Sequence, residues 1–310
     1  RNMAIGNQAM VGNTGGDNIG IGIRSLNSNT GSSNIAIGSD ALRANTGTQN
    51  IAFGVSALNQ NTSGSQNMAF GTNALYYNTT GTYNMGFGYE ALRSNTSGQS
   101  NIAIGLYALY ANTTGLQNMA FGNGSSQNNT TGNYNIALGT NALFSNTTGS
   151  QNMAVGHSCL QSNTTASYNT GLGYYALYAN TTGAQNTANG NGALQNNTIG
   201  NSNTANGNGA LYSNTTGNSN TANGVGALNG NSIGSNNTAN GVNALATNTT
   251  GERNSAYGRG ALVSNSTGTY NTASGAEALA NVTTGSNNIG IGYNAQVPDG
   301  TLSNQIRIGD

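Results

Sequence analysis

The chain has 310 residues, with 48 glycines, one proline, no tryptophan and only 5% charged residues, seven basic and seven acidic, for a formal net charge of +0. Charges that cancel and nowhere cluster exclude the basic footprint of a nucleic-acid or anionic-membrane binder. A single cysteine, Cys159, excludes an internal disulfide and a multi-thiolate metal site, so stability has to come from packing.

One phrase of 17 residues organises the whole chain, and 135–151 (NIALGTNALFSNTTGSQ) is a clean copy of it. Its opening asparagine falls at Asn2, Asn18, Asn34 and Asn50, in steps of 16, and then every 17 residues from Asn67 to Asn288, making 18 copies. A fixed period of this length predicts a solenoid, in which each repeat is one unit stacked on its neighbours. Low charge with abundant Gly and Asn would also suit a disordered linker. A linker, however, has no need to place Ala, Leu and Gly at fixed offsets. The expectation is an all-β chain, a parallel β-roll or β-solenoid of about 18 coils, with a repeat array over 1–287 and a terminal coil and exit strand over 288–310. No apolar run approaches the roughly 20 residues of a membrane helix, so membrane insertion by this segment is not expected. No signal-peptide pattern opens the chain, and Arg1 simply precedes a repeat, so the chain reads as a segment of something longer.

Numbering the opening asparagine as position 1, positions 1 to 5 read Asn, Ile/Met/Thr, Ala/Gly, Ile/Phe/Leu/Val/Asn, Gly, as in NIAIG at 34–38 and NMAFG at 67–71. Alternation over this stretch predicts a short strand with positions 2 and 4 on one face and 1, 3 and 5 on the other. Position 5 is glycine in every copy, which predicts a positive φ or an approach that leaves no room for a Cβ. Positions 8 and 9 are nearly always Ala-Leu and are expected in a second short extended segment. Its leucine would be the inward plug of each coil, as at Leu42, Leu58, Leu75, Leu92, Leu109 and Leu143. Positions 12 to 15, Asn-Thr-Thr-Gly or Asn-Thr-Ser-Gly, predict a second corner in which Asn bonds its own backbone and Gly takes positive φ. The 16-residue copies lose a residue here (Asn29-Thr30-Gly31), where a shorter turn is tolerated and a strand slip is not. Asparagines at positions 1 and 12 are expected to form ladders along the stack. With coils about 4.8 Å apart, 18 of them would make a rod on the order of 85 Å.

Position 3 carries the inference about assembly. It is Ala or Gly in every copy, while positions 2 and 4 carry Ile, Met and Phe through the first eleven copies or so. Both faces of the strand are therefore constrained, although only one can face the interior of a coil. A face buried inside the coil and another buried against neighbouring chains resolves this. The residues predicted to meet neighbouring chains are Ile51, Phe53, Met68, Phe70, Met85, Phe87, Ile102, Ile104, Met119 and Phe121.

Along the chain, the copy at Asn118 has Ser125-Ser126 in place of Ala-Leu and should be underfilled. The copy at Asn152 contains His157, Ser158 and Cys159; the His and Cys are expected to point to opposite faces with no third polar partner, which argues against a nucleophilic site. From Asn186 the register holds but the face turns polar, with Thr187/Asn189, Thr204/Asn206, Thr221/Asn223 and Thr238/Asn240. After Asn288 comes Pro298-Asp299-Gly300, a turn signal, and then SNQIRIGD at 303–310, where Ile306 and Ile308 alternate around Arg307 and predict a last strand.

The inventory of catalytic chemistry is thin. No lysine is present to reach a phosphate, the four aspartates are scattered, and Glu90, Glu252 and Glu277 lie far apart in the stack, so neither a phosphate loop, nor a calcium roll, nor an acid/base pair is expected. The expectation is a non-enzymatic chain with no cofactor and no metal. Tyrosines outside the core positions, among them Tyr174, Tyr175 and Tyr178, either cover the outer surface or contact glycans or partner proteins.

NIAIG followed by a small residue and Leu, at 34–42 and 101–109, resembles the head repeats of trimeric autotransporter adhesins of the Yersinia adhesin type. The wording GTNALFSNTTGSQN, with SNQIRIGD at the end, is similar to repeat regions of bacterial and phage tail-fibre-type proteins. The resemblance implies a left-handed parallel β-roll that trimerises through its strands, in an extracellular, cell-surface or virion-like fibre. The adhesin repeat is shorter, so the extra residues here would enlarge the Asn-Thr-Thr-Gly corner. Tail-fibre proteins of this kind carry a C-terminal intramolecular chaperone, which is not in this sequence. Partners implied are the chain itself and, beyond it, surface glycans or host-cell receptors. Two other classes fit single features: an ice- or crystal-surface-binding solenoid using Thr/Asn ladders, and a carbohydrate-binding shaft using the tyrosines.

Overall fold

The computed structural model describes residues 1–309; Asp310, the end of the terminal phrase, lies outside the described residues. They form two compact units, Arg1–Asn152 and a second from Met153 onward. Each unit consists of very short strands joined by turns, and no helix occurs among the described residues. The first holds β1 (Asn2–Ile5), β2 (Asn18–Ile21), β3 (Ile35–Ile37), β4 (Ile51–Phe53), β5 (Met68–Phe70), β6 (Met85–Phe87), β7 (Ile102–Ile104), β8 (Met119–Phe121) and β9 (Ile136–Leu138). The second holds β10 (Met153–Val155), β11 (Thr170–Leu172), β12 (Thr187–Asn189), β13 (Thr204–Asn206), β14 (Thr221–Asn223), β15 (Thr238–Asn240), β16 (Ser255–Tyr257), β17 (Thr272–Ser274), β18 (Ile289–Ile291) and β19 (Ile306–Ile308). Within each unit every strand pairs in parallel with the strand one coil away, like residue on like, as in Ile51↔Met68, Ala52↔Ala69 and Phe53↔Phe70. The 16-residue copies keep that register, Ile19↔Ile35 and Ile35↔Ile51, so the missing residue comes out of a corner. The chain is thus an all-β parallel β-solenoid of one coil per repeat.

The strand alternates as its sequence predicts. In β4 and β5 the central Ala52 and Ala69 are fully buried while their neighbours on either side are half-buried. Opposite the alanine, inside the same coil, sit Ala and Leu of positions 8 and 9; Leu42, Leu58, Leu75, Leu92, Leu109 and Leu143 are all fully buried. A core this thin admits one leucine per coil. Position 5 closes the strand with φ between 132° and 142° over Gly6, Gly22, Gly38, Gly54, Gly71 and Gly88. A Cβ built on Gly54 would lie 2.5 Å from the carbonyl oxygen of Gly71 in the next coil, so both backbone geometry and space require glycine.

Two expectations are corrected. Positions 8 and 9 are not an extended segment: the residues at positions 7 and 9 are left-handed in coil after coil, as at Glu90 (φ 55°) and Leu92 (φ 53°), and the stretch is a turn. The two left-handed residues turn their amides to opposite neighbours: the Glu90 N–H donates back to the Thr72 carbonyl (3.0 Å) and the Leu92 N–H forward to the Ala108 carbonyl (3.0 Å), while the Ala91 N–H between them donates within its own coil to the Gly88 carbonyl (3.4 Å). A left-handed leucine costs about 1–2 kcal/mol, which complete burial of its side chain, worth roughly 1.5–3 kcal/mol, offsets. The second correction concerns position 15. Gly64, Gly81 and Gly98 do not have positive φ; glycine is needed there for space, since a Cβ on Gly81 would meet Asn78 Oδ1 at 2.5 Å and the Gly98 carbonyl at 2.5 Å.

That crowding comes from two buried asparagine ladders. At position 12, Asn78 Nδ2 donates to Asn61 Oδ1 (2.7 Å) in the previous coil and to the Gly81 carbonyl (3.0 Å) in its own. At position 1, the Asn84 backbone N–H donates to Asn67 Oδ1 (3.0 Å), and Asn84 Nδ2 reaches that same oxygen (3.2 Å) and the Gly98 carbonyl (2.8 Å). The second unit repeats both patterns, with Asn214 Nδ2 donating to Asn197 Oδ1 (2.7 Å) and the Asn220 N–H to Asn203 Oδ1 (3.0 Å). Near the end Val282 takes position 12 and interrupts one ladder, while β19 adds a last rung, Ile289↔Ile306, that leaves Ile306 and Ile308 about 70% exposed.

Ser126 occupies the leucine site of its coil, is 1% exposed, and its hydroxyl has no hydrogen-bond partner. Its φ of 47° matches the 49° and 53° of Leu109 and Leu143 in the flanking coils. Ser126→Leu is therefore expected to stabilise the fold by on the order of 2 kcal/mol, from added apolar burial and a removed orphan hydroxyl. Thermal or urea unfolding measures it, and a lower midpoint would mean that the coil has contracted around the serine.

Asn95→Asp should do the opposite. It deletes donors to Asn78 Oδ1 (2.7 Å) and the Gly98 carbonyl (3.0 Å) and buries a carboxylate against them, at a cost of on the order of 3 kcal/mol. Burial raises the folded-state pKa of that carboxyl above its unfolded value. The deficit is full above the raised pKa and shrinks as pH falls through it toward the ordinary carboxylate range. Urea titrations of wild type and variant at neutral and acidic pH give the difference; a deficit independent of pH contradicts it.

Candidate functional site: the outward strand face

Because position 3 faces the coil interior, positions 2 and 4 face out. In the first unit this sets Ile51, Met68, Met85, Ile102 and Met119 in one row and Phe53, Phe70, Phe87, Ile104 and Phe121 in the next. Among the described residues nothing covers them fully: Met85 is 37% exposed, Ile104 40%, Met119 42% and Phe121 36%. The rings of Phe53, Phe70 and Phe87 stack nearly parallel, with centroids 4.9 and 4.6 Å apart and interplanar angles of 5° and 7°. Those distances are the strand spacing of a sheet, so the coil-to-coil hydrogen bonds hold the rings in register. The eight rungs β2–β9 form an uncharged apolar strip roughly 35 Å long at the usual strand spacing, contiguous in the way that marks an interaction surface.

In the second unit the equivalent strand face has a different chemistry. β10 presents Met153 and Val155, and β18 Ile289 and Ile291, but β12–β15 present Thr at position 2 and Asn at position 4. The outward asparagines are ordered: Asn206 Nδ2 donates to Asn223 Oδ1 (2.8 Å) and Asn223 Nδ2 to Asn240 Oδ1 (2.7 Å). In coil after coil the first threonine of the corner is committed along the stack, Thr79 Oγ1 donating to the Thr96 carbonyl (2.9 Å) of the next coil and Thr181 Oγ1 to that of Thr198 (3.0 Å).

Aromatic side chains gather away from the strand. In the second unit His157 stacks on Tyr174 (centroids 5.4 Å, 16°), Tyr174 lies 4.1 Å from Tyr175, and Tyr175 meets Tyr178 edge-on at 5.0 Å. Tyr174 is 48% exposed and forms the outer surface of the group. The first unit has a counterpart that sequence reasoning missed. Arg93 lies over the rings of Tyr76, Tyr77 and Tyr110 at 5.8, 5.1 and 5.7 Å, donates to the Tyr110 hydroxyl (3.0 Å), and has Glu90 at 3.6 Å. The signal was available, since Tyr76, Arg93 and Tyr110 all occupy position 10 of successive copies and must stack.

His157 and Cys159 do diverge. His157 is exposed, whereas Cys159 is fully buried at an alanine position. The reason differs from the expected one: an extended chain would put residues two apart on one face, and left-handed Ser158 (φ 52°) turns them apart. Burial pushes the Cys159 thiol up to about 12. The sulfur takes the space of a Cβ in the next coil, where Gly171 replaces the usual alanine. No group of three or more His, Cys, Asp or Glu able to hold a metal occurs among the described residues, and no helix there is long and apolar enough to cross a membrane.

No family model matches the chain, and no curated protein matches it.

Cys159 is expected to resist alkylation by iodoacetamide at pH 8 in the folded protein and to react at the rate of an unfolded cysteine in urea. Mass spectrometry after timed quenching reads both rates, and fast labelling without denaturant would mean that this coil opens locally.

Proposed function

We propose that this chain is a structural, adhesive segment of an extracellular fibre or stalk, a left-handed solenoid assembled as a homotrimer through its outward strand face and acting without catalysis. The observation that carries this reading is the double constraint on the strands of the first unit: alanine or glycine packed inside the coil, and an uncharged ladder of Ile, Met and Phe that the described residues cover only in part. The resemblance of its repeat wording to adhesin heads and tail-fibre repeats points the same way. The partner with the matching repeat spacing is another copy of the chain.

Light scattering of the purified segment should give three times the chain mass. Phe70→Lys with Met85→Lys places charge in the strip without touching the coil interior, and is expected to weaken association at least a hundredfold while leaving the circular dichroism unchanged. A single-chain mass for the wild type at every concentration, or an assembly indifferent to the two lysines, overturns the reading.

Tyr174 favours a second role for the same fibre. Its exposed ring, braced by His157 and Tyr175, is a preformed shelf of the kind that receives a sugar face. Retention on a glycan array that disappears in Tyr174→Ala/Tyr175→Ala would establish it, and an array blank with wild type would dispose of it.

A further inference from the structure

We propose that the Thr/Asn block on the outer face of β12–β15 is a register key, pairing with the same four rungs of a second copy and fixing the axial alignment of the assembled chains. The inference rests on the self-association proposed above and assigns this block its partner. A ladder of nearly identical rungs has an intrinsic alignment problem. Slipping one chain by one coil, about 4.8 Å, forfeits only the end rungs of an apolar interface, so a uniform strip specifies its own register weakly.

The second unit carries the remedy on its own surface. Asn occupies position 4 only in β12–β15, flanked by Leu172 in β11 and Tyr257 in β16. Aligned copies set amide against amide; copies slipped by one coil set Asn189 or Asn240 against Leu172 or Tyr257. A buried amide facing an apolar side chain loses its water and gains no partner. The pairing is self-complementary, because a primary amide both donates and accepts. Along the stack Asn206 donates to Asn223 (2.8 Å) and Asn223 to Asn240 (2.7 Å), which orients these three amides and leaves each with a proton or a lone pair to offer outward. Only a surface with the same coil spacing can match such an array rung for rung, and a second copy is certain to have it. The four rungs also carry no charge, although a face left in water would accept Lys or Glu. A single polar layer in an apolar seam sets register in coiled coils by the same logic.

Disulfide trapping tests this. In a Cys159→Ala background, Ser255→Cys and Ile289→Cys each place one thiol on the outward face, two rungs apart. In aligned copies the two positions are separated by roughly 9.6 Å along the stack, beyond the reach of a disulfide. Chains carrying one or the other are co-expressed and oxidised. With the native key, homodisulfides should dominate and the mixed 255–289 disulfide stay below about a tenth of them. Replacing Asn189, Asn206, Asn223 and Asn240 by Leu should keep the threefold mass and raise the mixed product at least fivefold; Asn206→Leu/Asn223→Leu serves if the fourfold variant does not fold. A mixed yield that is already high with the native key, or unchanged without it, overturns the key alone. A monomeric wild type with no intermolecular disulfide overturns the assembly and the key together.

Discussion

The interaction on which the rest depends is the convergence of two asparagine side chains on one glycine carbonyl, repeated in coil after coil. The Gly81 carbonyl receives Asn67 Nδ2 at 2.8 Å and Asn78 Nδ2 at 3.0 Å, while the oxygen of each amide accepts from the coil that follows. This knot closes the corner within a coil and ties it to its neighbours. A coil with one leucine and two alanines inside cannot hold its shape by apolar burial alone. Fully satisfied buried amides supply the specificity that a larger core would otherwise provide.

The backbone restrictions follow from that knot. Glycine at the corner leaves room for the amides, and glycine at the strand end lets each coil sit directly against the next. The left-handed leucine is the least expected member of the set. It is tolerated because the left-handed residues at positions 7 and 9 send their amide protons to the coil before and the coil after. The size pairing of Cys159 with Gly171, and the orphan hydroxyl of Ser126, mark how little slack this interior has.

With the interior so constrained, the variable chemistry is on the outside. Positions 2 and 4 change from Ile/Met/Phe to Thr/Asn and back to Ile without disturbing any strand pairing within a unit. Tyrosines and the paired charges Arg24–Asp40 (2.7 Å) and Arg259–Glu277 lie on the outer turns. The repeat thus separates a scaffold that hardly varies from a face that can be written coil by coil, the arrangement expected of a binding or assembly surface carried on a solenoid.

Much of this was legible in the sequence because periodicity reports directly on stacking. The 17-residue spacing alone implied parallel in-register strands, leucine plugs, asparagine ladders and a glycine with no room for a side chain. The same spacing would have revealed the Tyr76–Arg93–Tyr110 column had position 10 been followed from copy to copy. What periodicity could not report was the path of the chain between strands. Ala-Leu reads as extended because apolar pairs in short segments usually are, and Asn-Thr-Thr-Gly reads as a left-handed glycine turn because local propensity favours it. The tertiary structure decided otherwise in both places. Hydrogen bonds to the coils before and after left no slack for an extended Ala-Leu, and the space beside two buried amides, rather than a turn conformation, required the glycine.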